Sequence, residues 1–252
     1  MTPDRYATFD YSRLISWPAR LQREWPFLDP LLAAAPSRRV LDLGSGTGEH
    51  ARLISSKGYE VLGLDTSPAM VEKARSGGGT FVLGDMRELS ALIGEERFGA
   101  ALCLGNALPH LTGEDDLERL AGELRKVLLP GGPVVIQFLN YDRLERKKER
   151  ALPLSFLPDP DDPAASLLFL RAIELRPDKR VVFMPTVLRV RPDQEPPMEL
   201  LGTQRVEVRS WRADDLERAF RGAGFTSIEI LGSYGREPFD AGESRDVIFV
   251  AK

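Results

Sequence analysis

The chain has 252 residues, enough to bury a full core and few for two complete domains, so one core with an elaboration is expected. Its 34 Lys and Arg against 38 Asp and Glu give a formal net charge of -4, which lacks the basic footprint of a nucleic-acid binder. Hydrophobic residues at 42% and charged residues at 29% exclude a disordered chain.

No apolar run approaches the roughly 18 residues of a membrane-spanning helix. The acidic Asp4 and Asp10 interrupt any signal-like start, so a cytoplasmic location is expected. A single cysteine, Cys103, excludes an intrachain disulfide and a thiolate zinc site, and its apolar surroundings in AALCLG read as a buried strand. No metal constellation is visible.

In chain order, residues 1–35 read as two or three short helical pieces, including PARLQREWPFLDPLL, which would cap the C-terminal edge of a sheet. From Pro36 onward strands and helices alternate. RRVLDLGS, YEVLGLD, TFVLGD, FGAALCLG and PVVIQFL read as strands, and TGEHARLISSKG, SPAMVEKARS, MRELSALIG and EDDLERLAGELRKVL as the helices between them. Ser67 and Pro68 supply an N-cap and a first-turn proline; Leu117, Leu120, Leu124 and Leu128 share one helical face. This rhythm implies an α/β fold, a parallel sheet covered on both faces.

After Asn140 the rhythm breaks. RLERKKER, Arg143 to Arg150, reads as a solvated helical face because Glu145 and Glu149 interleave its cations, with anion contact as the alternative. SLLFLRAIEL, RVVFMPTVLRV and MELLGTQRVEVRS follow as strands without helices between them, an antiparallel insert. WRADDLERAFRGAG, SIEILGS and RDVIFVA resume the main fold. The domain reading is an N-terminal helical cap over 1–35, a core over 36–138 and 211–252, and an insert over 139–210 serving as a substrate lid.

The stretch VLDLGSGTGEH, Val40 to His50, places Gly44, Gly46 and Gly48 between a strand and a helix start. Such a loop lets a ligand approach the backbone, and the helix N-terminus favours negative charge. Asp42 suits an ammonium group better than a pyrophosphate. Asp65 ends the second strand, where a carboxylate can hold a ribose diol. Asp85 follows the third strand, where it can accept from an adenine amine while the backbone N–H of Met86 donates. One ligand with an adenosine, an ammonium and a carboxylate satisfies all three. The spacing G-S-G-T-G and Asp42 both count against a nicotinamide dinucleotide.

The stretches VLDLGSGTG, GLDTSPAMV, LGDMREL, FGAALCLGNALPHL and LRKVLLPGGPVVIQ resemble, in order from Val40 to Gln137, the successive motifs of class I S-adenosylmethionine (SAM)-dependent methyltransferases. The resemblance implies a Rossmann-like seven-stranded, mostly parallel sheet of order 3-2-1-4-5-7-6, the seventh strand antiparallel. It implies SAM as cofactor and S-adenosylhomocysteine as product. Gly44 and Gly46 would lie under the methionine part, Asp65 on the ribose, Asp85 and Met86 at adenine, and Thr66, Met70 and Leu104 around the pocket.

CLGNALPHL and the later NYD of Asn140 to Asp142 are similar to the glycine and sarcosine N-methyltransferase branch, and Arg20 matches an arginine that there holds the methionine carboxylate. That branch has an arginine before NYD to grip the substrate carboxylate; here Leu139 stands there, so glycine is doubtful unless Arg143, Arg171 or Arg189 replaces it.

The expected reaction is methyl transfer to a small molecule at an amine nitrogen, with a small-metabolite O-methyltransferase and a noncatalytic SAM-binding regulator as alternatives. Asn106 is a candidate to orient the reacting amine or cofactor, against a turn-stabilising role. Tyr141 is a candidate pocket residue, against packing under the insert. His110 is a candidate base, against a cap or surface role. His50 reads as structural. Trp17 and Tyr11 are candidates to close over the cofactor. The partners expected are a small-molecule substrate and neither nucleic acid nor membrane, with a homo-oligomer left open.

Overall fold

The structure is a computed structural model that describes residues 14–252. Seven strands form the main sheet: β1 (Arg39–Leu43), β2 (Glu60–Asp65), β3 (Thr80–Leu83), β4 (Ala100–Cys103), β5 (Val134–Leu139), and, late in the chain, β11 (Ile228–Leu231) and β12 (Asp246–Ala251). Their order is β11-β12-β5-β4-β1-β2-β3. β1 to β5 are parallel where they pair, whereas β12 runs antiparallel to both β5 and β11. Counting only sheet strands, this is the expected order 3-2-1-4-5-7-6 with the seventh strand reversed.

Helices cover both faces. On one, α1 (Trp17–Ala33), α2 (Glu49–Ser56) and α3 (Pro68–Ser76) bury Phe27, Leu28, Ile54 and Ala74 against Val40, Ala100 and Leu102. On the other, α4 (Leu89–Ile93), α5 (Asp116–Val127) and α7 (Ala213–Gly222) bury Leu89, Leu120, Leu124 and Phe220 against Leu41, Ala101 and Phe249. Strands sandwiched this way have no solvent face, which is why β4 is apolar at every position. Cys103 is fully buried there, and burial raises its thiol pKa far above the ordinary value. No helix among the described residues is long and apolar enough to cross a membrane.

Local signals fix the helix ends. The Ser67 hydroxyl accepts from Met70 N at 3.2 Å, capping α3. α5 carries Asp116 and Glu118 in its first turn and Arg125 and Lys126 in its last, matching its dipole. The expected helical piece PARLQREWPFLDPLL is α1, one helix over 17–33 despite Pro26 and Pro30, and any other expected piece lies ahead of it, where residues 1–13 are outside the described residues. Both prolines are exposed, so the carbonyls they leave unbonded face water while the opposite side buries Phe27, Leu28 and Leu31.

Between β5 and α7 lie α6 (Tyr141–Arg146) and a second, antiparallel sheet of β6 (Ser155–Pro158), β7 (Ser166–Leu175), β8 (Arg180–Val190), β9 (Met198–Thr203) and β10 (Val206–Arg209). RLERKKER is not one helical face, since α6 ends at Arg146 and Lys148 adopts a positive φ of 53°. Two of its cations are paired, Arg143 with Glu149 and Lys147 with Glu243. MELLGTQRVEVRS divides into β9 and β10, and β6 is an added strand. One face of this sheet packs inward: Ile173, Val181, Val206 and Val208 join the main core, and Leu167, Phe169 and Val187 enclose Leu14.

Candidate functional site

The glycine loop leaves β1 at the C-terminal edge of the sheet. Gly44 has φ +67°, and a Cβ there would come within 2.5 Å of the Ala107 Cβ, so the loop after β4 presses directly on it. Gly46 has φ +54°, and a Cβ there would meet nothing within 4 Å. Space therefore opens above Gly46 while Gly44 is walled in. The Gly44 and Ser45 N–H groups both donate to the Leu64 carbonyl, and Gly46 N–H donates to the Asp65 carboxylate at 2.8 Å. Asp65 also accepts from Ser67 N at 2.9 Å, which fixes its carboxylate at the end of β2.

Asp42 is 2% exposed, and one of its carboxylate oxygens has no hydrogen-bond partner. Burial, aided by the Asp65 charge and opposed by His50 and Arg20, pushes its pKa up to about 6. A buried acceptor lacking a donor costs about 1–3 kcal/mol. That orphaned oxygen fits a ligand bringing a cationic donor, and the open space over Gly46 fits its remainder.

Above this floor stands α1. Arg20 lies over the Trp17 ring at 5.1 Å and reaches the loop after β4, with its guanidinium 3.0 Å from where a Gly105 Cβ would sit. Arg20 Nε donates to Glu24 Oε1 at 2.8 Å, and the other Glu24 oxygen lies 2.6 Å from His50 Nε2. Glu24 is 1% exposed; burial raises its pKa, but the His50 hydrogen bond and the Arg20 charge outweigh this and hold it below the ordinary value. His50 also meets the edge of Trp17, at 5.5 Å between centroids. It belongs to a buried charged cluster that sequence reading missed. Trp17 Nε1 and the Tyr234 hydroxyl are two more buried polar atoms without partners on this side. Tyr11 lies outside the described residues.

The loop after β4 is held from an unexpected direction. Gly105 N–H donates to Gln137 Oε1 at 2.8 Å, and Gln137 Nε2 donates to Asp246 on β12 at 2.8 Å. Asn106 adopts φ +65°, uncommon for a residue with a side chain and a frequent mark of functional loops. Its amide oxygen accepts from Leu139 N at 3.0 Å, and its side chain hydrogen bonds to Tyr141. Tyr141 is 2% exposed and packs in the main core, and burial raises its phenol pKa. Asn140, the first residue of NYD, caps α6 and donates to the carbonyls of Ala241 and Ser244.

Asp85, expected at adenine, is not a bare carboxylate. Arg87 donates to both oxygens of Asp85 and bridges to Asp116 at 3.0 Å. Burial raises the Asp85 pKa, but these bonds outweigh it and hold the carboxyl below its ordinary value. Met86 is buried with its methyl 3.9 Å from the Gly44 Cβ position. Met70 and Leu104 are buried, Thr66 is exposed at the end of β2, and His110 is exposed in a single 3-10 turn, 108–110. The structure thus gathers Asp42, Gly44, Gly46, Asp65 and Arg20 around one mouth, with Asp85 and Met86 along the edge. Asn106 and Tyr141 form one bonded pair beside it.

A family profile described as a methyltransferase domain matches residues 40–132. The glycine/sarcosine N-methyltransferase of Parasynechococcus marenigrum is 36% identical over 140 residues, covering 53% of this chain and 49% of that protein. The chain spans about half the length of the curated relatives it matches. Among solved structures, the CcbJ methyltransferase of Streptomyces caelestis superposes with a TM-score of 0.69 at 26% identity, over 92% of this chain and 89% of that one. SAM-bound CalS10, an amino pentose methyltransferase of Micromonospora echinaspora, superposes with a TM-score of 0.72 at 20% identity, over 96% and 93% of the two chains, a likeness of fold.

Proposed function

We propose that this chain, which is built on a class I SAM-dependent methyltransferase domain, transfers a methyl group from SAM to an amine nitrogen of a small molecule. The observation that carries the reading is the buried, half-unpaired Asp42 carboxylate beneath the open space over Gly46, with Arg20 at the same mouth. A carboxylate below and a guanidinium above form a receptor for a zwitterion, the amino-acid end of SAM. Asp65 serves the ribose. Asp85 serves adenine, since a carboxylate offers about four acceptor positions and Arg87 leaves some free. Met86, Met70, Leu104 and Thr66 line the remainder.

When bound, SAM supplies a methyl carbon on a sulfonium, already an activated leaving group. The residues of this chain therefore need to position rather than to acidify. The Gly105–Asn106 turn, fixed by Gln137 and Tyr141, faces the acceptor side. An amine arriving with its lone pair free needs no strong base, which suits a site where His50 is engaged by Glu24 and His110 is exposed. The acceptor we favour lacks a carboxylate: Arg143 is paired with Glu149 and Arg189 with Asp159, Arg171 donates to the Pro153 carbonyl and the Ser155 hydroxyl, and Leu139 stands where the similar branch has its arginine. The N-methyltransferase relatives support nitrogen over oxygen.

Thermal melting with SAM, S-adenosylhomocysteine or NAD tests the cofactor, because a ligand of the native state raises its melting temperature. A rise with the first two, lost in Asp65→Ala, is expected. A rise with NAD alone sinks the proposal. Methyl transfer to small amines, compared with matched alcohols, then separates N- from O-methylation. Binding without transfer to any acceptor returns the regulatory reading.

A further inference from the structure

The proposed cofactor takes one half of the sheet edge and leaves the other half open. Asp42, Asp65 and Asp85 stand on β1, on β2 and just past β3, whereas Gly105, Gln137 and Asp246 stand just past β4, on β5 and on β12, the strands that continue the sheet on the other side of β1. Side chains alternate between the faces of a strand. Val135 of β5 and Ile248 of β12 pack in the same core as Phe27 and Leu28 of α1, so Gln137 and Asp246, two positions away from them, face the α1 side as well.

Asp246 is only half engaged. Its Oδ1 accepts from Gln137 Nε2 at 2.8 Å, and the other oxygen of this partly buried side chain has no partner among the described residues. Two hydrogen bonds of 2.8 Å and the width of one amide group join it to the Gly105 N–H, which puts the carboxylate within about 8 Å of that turn. The groups that face it are Arg20, Arg23 and Glu24 of α1 and Tyr234 from the loop after β11. Both arginines turn to Glu24, at 2.8 Å and 3.6 Å, so neither closes on Asp246. Burial pushes the Tyr234 phenol well above its ordinary value, so it brings no charge. Leu139 is the direct partner of Asp246 in the register. An acceptor above the Gly105 turn thus meets an anion beside an apolar side chain. Burial also raises the Asp246 carboxyl above its ordinary value, against the Gln137 hydrogen bond and the two arginines. A carboxylate drawn out of water acts more strongly on a nearby positive charge.

Resting on the methyl transfer proposed above, we infer that Asp246 is a catalytic residue of the acceptor side, whose free oxygen accepts an N–H of the amine and whose charge stabilises the cation formed there. A neutral amine held by one N–H keeps its lone pair for the methyl carbon. As the N–C bond forms, the C–S electron pair returns to sulfur, the positive charge passes from sulfur to nitrogen, and the amine keeps its protons. The charge arrives beside Asp246, so this interaction is stronger in the transition state than in the bound amine. The same carboxylate repels an acceptor that carries a second carboxylate next to its nitrogen.

Asp246→Asn tests this, because an amide oxygen still accepts from Gln137 and only the charge is lost. The first measurement needs no acceptor. Sinefungin places a primary ammonium where SAM places its sulfonium methyl, whereas S-adenosylhomocysteine places nothing there. In calorimetry the preference of the wild type for sinefungin over S-adenosylhomocysteine should exceed that of the variant by about tenfold. With methylamine, ethylamine and propylamine as acceptors, kcat should fall by about 100-fold while KM changes little. Should the asparagine variant fail to fold, Asp246→Ser serves instead. An unchanged sinefungin preference overturns the inference, even where none of these amines is turned over, and so does an unchanged kcat. A wild type that binds neither sinefungin nor S-adenosylhomocysteine overturns the methyl-transfer reading itself, and this inference with it.

Discussion

The mouth of the parallel sheet and the antiparallel sheet beside it use charge in opposite ways. At the mouth, Asp42, Glu24, Arg20 and His50 are drawn into the interior, and the set is left one donor short. In the antiparallel sheet the charges of Arg189, Asp159, Arg191 and Asp162 are matched pair by pair. A buried carboxylate oxygen left open marks a place built to receive something, whereas ion pairs closed on one another mark a place built to hold shape. The loops that shape the mouth belong to the most regular part of the fold, which lets stiff strands carry the cost of an unsatisfied carboxylate.

The sharpest way to break this contrast is Glu24→Ala. It leaves His50 without its carboxylate and frees Arg20, and breaking such a buried pair costs about 3–5 kcal/mol. Urea unfolding should report that loss, and calorimetry should report weaker SAM binding in whatever fraction still folds. Glu24→Gln should recover most of the stability but little of the affinity.

Asp42→Asn should act with two signs. The folded pKa of Asp42, about 6, lies above its ordinary value of 3.8, so its contribution to stability is full below the lower value and is lost as pH rises through the higher. The asparagine variant should therefore melt higher at pH 8, by on the order of 2–3 kcal/mol, and gain nothing near pH 3.5. The same variant should bind SAM about 10- to 100-fold more weakly, the worth of a charge-assisted hydrogen bond. A variant that melts higher and binds equally well would remove Asp42 from the site.

In the wild type, SAM affinity should fall by up to about tenfold per pH unit below pH 6, as Asp42 takes up a proton and no longer attracts an ammonium. A flat affinity profile from pH 7 to pH 5 would contradict that role. Arg189→Met should be milder, because Asp159 keeps its backbone donor from Asp161 and can relax toward solvent. Its loss should leave SAM affinity unchanged. Lys147→Ala, which removes an exposed pair with Glu243, should change stability by less than about 0.5 kcal/mol. Differential scanning calorimetry separates these last two.

What the sequence made legible were the features written in adjacent residues. The glycine loop, the aspartates at three successive strand ends and the cap at Ser67 each depend on neighbours within a few positions, and each stands where it was expected. Glu24 was invisible because its meaning lies in His50, 26 positions away on another helix. Gln137 and Asp246 meet across 109 positions and leave no local mark. β6 was hidden by the prolines that guard it, and the division of β9 from β10 by a turn at Gln204 and Arg205 that carries no glycine. Arg87 sits two residues from Asp85 and could have been read as its partner; the strand-end aspartate drew the attention instead.

The bond between Gln137 and Asp246 bears on how the molecule comes to work during its own synthesis. A nascent chain that has emerged through β5 already holds the glycine loop, all three strand-end aspartates and the Gly105 turn. It still lacks the strand whose carboxylate clamps Gln137 and, through it, that turn. On the ribosome the domain can collapse around its early strands while the Gly105 turn is still unclamped. Because Asp246 lies 109 positions after Gln137, that clamp closes only once β12 has left the tunnel.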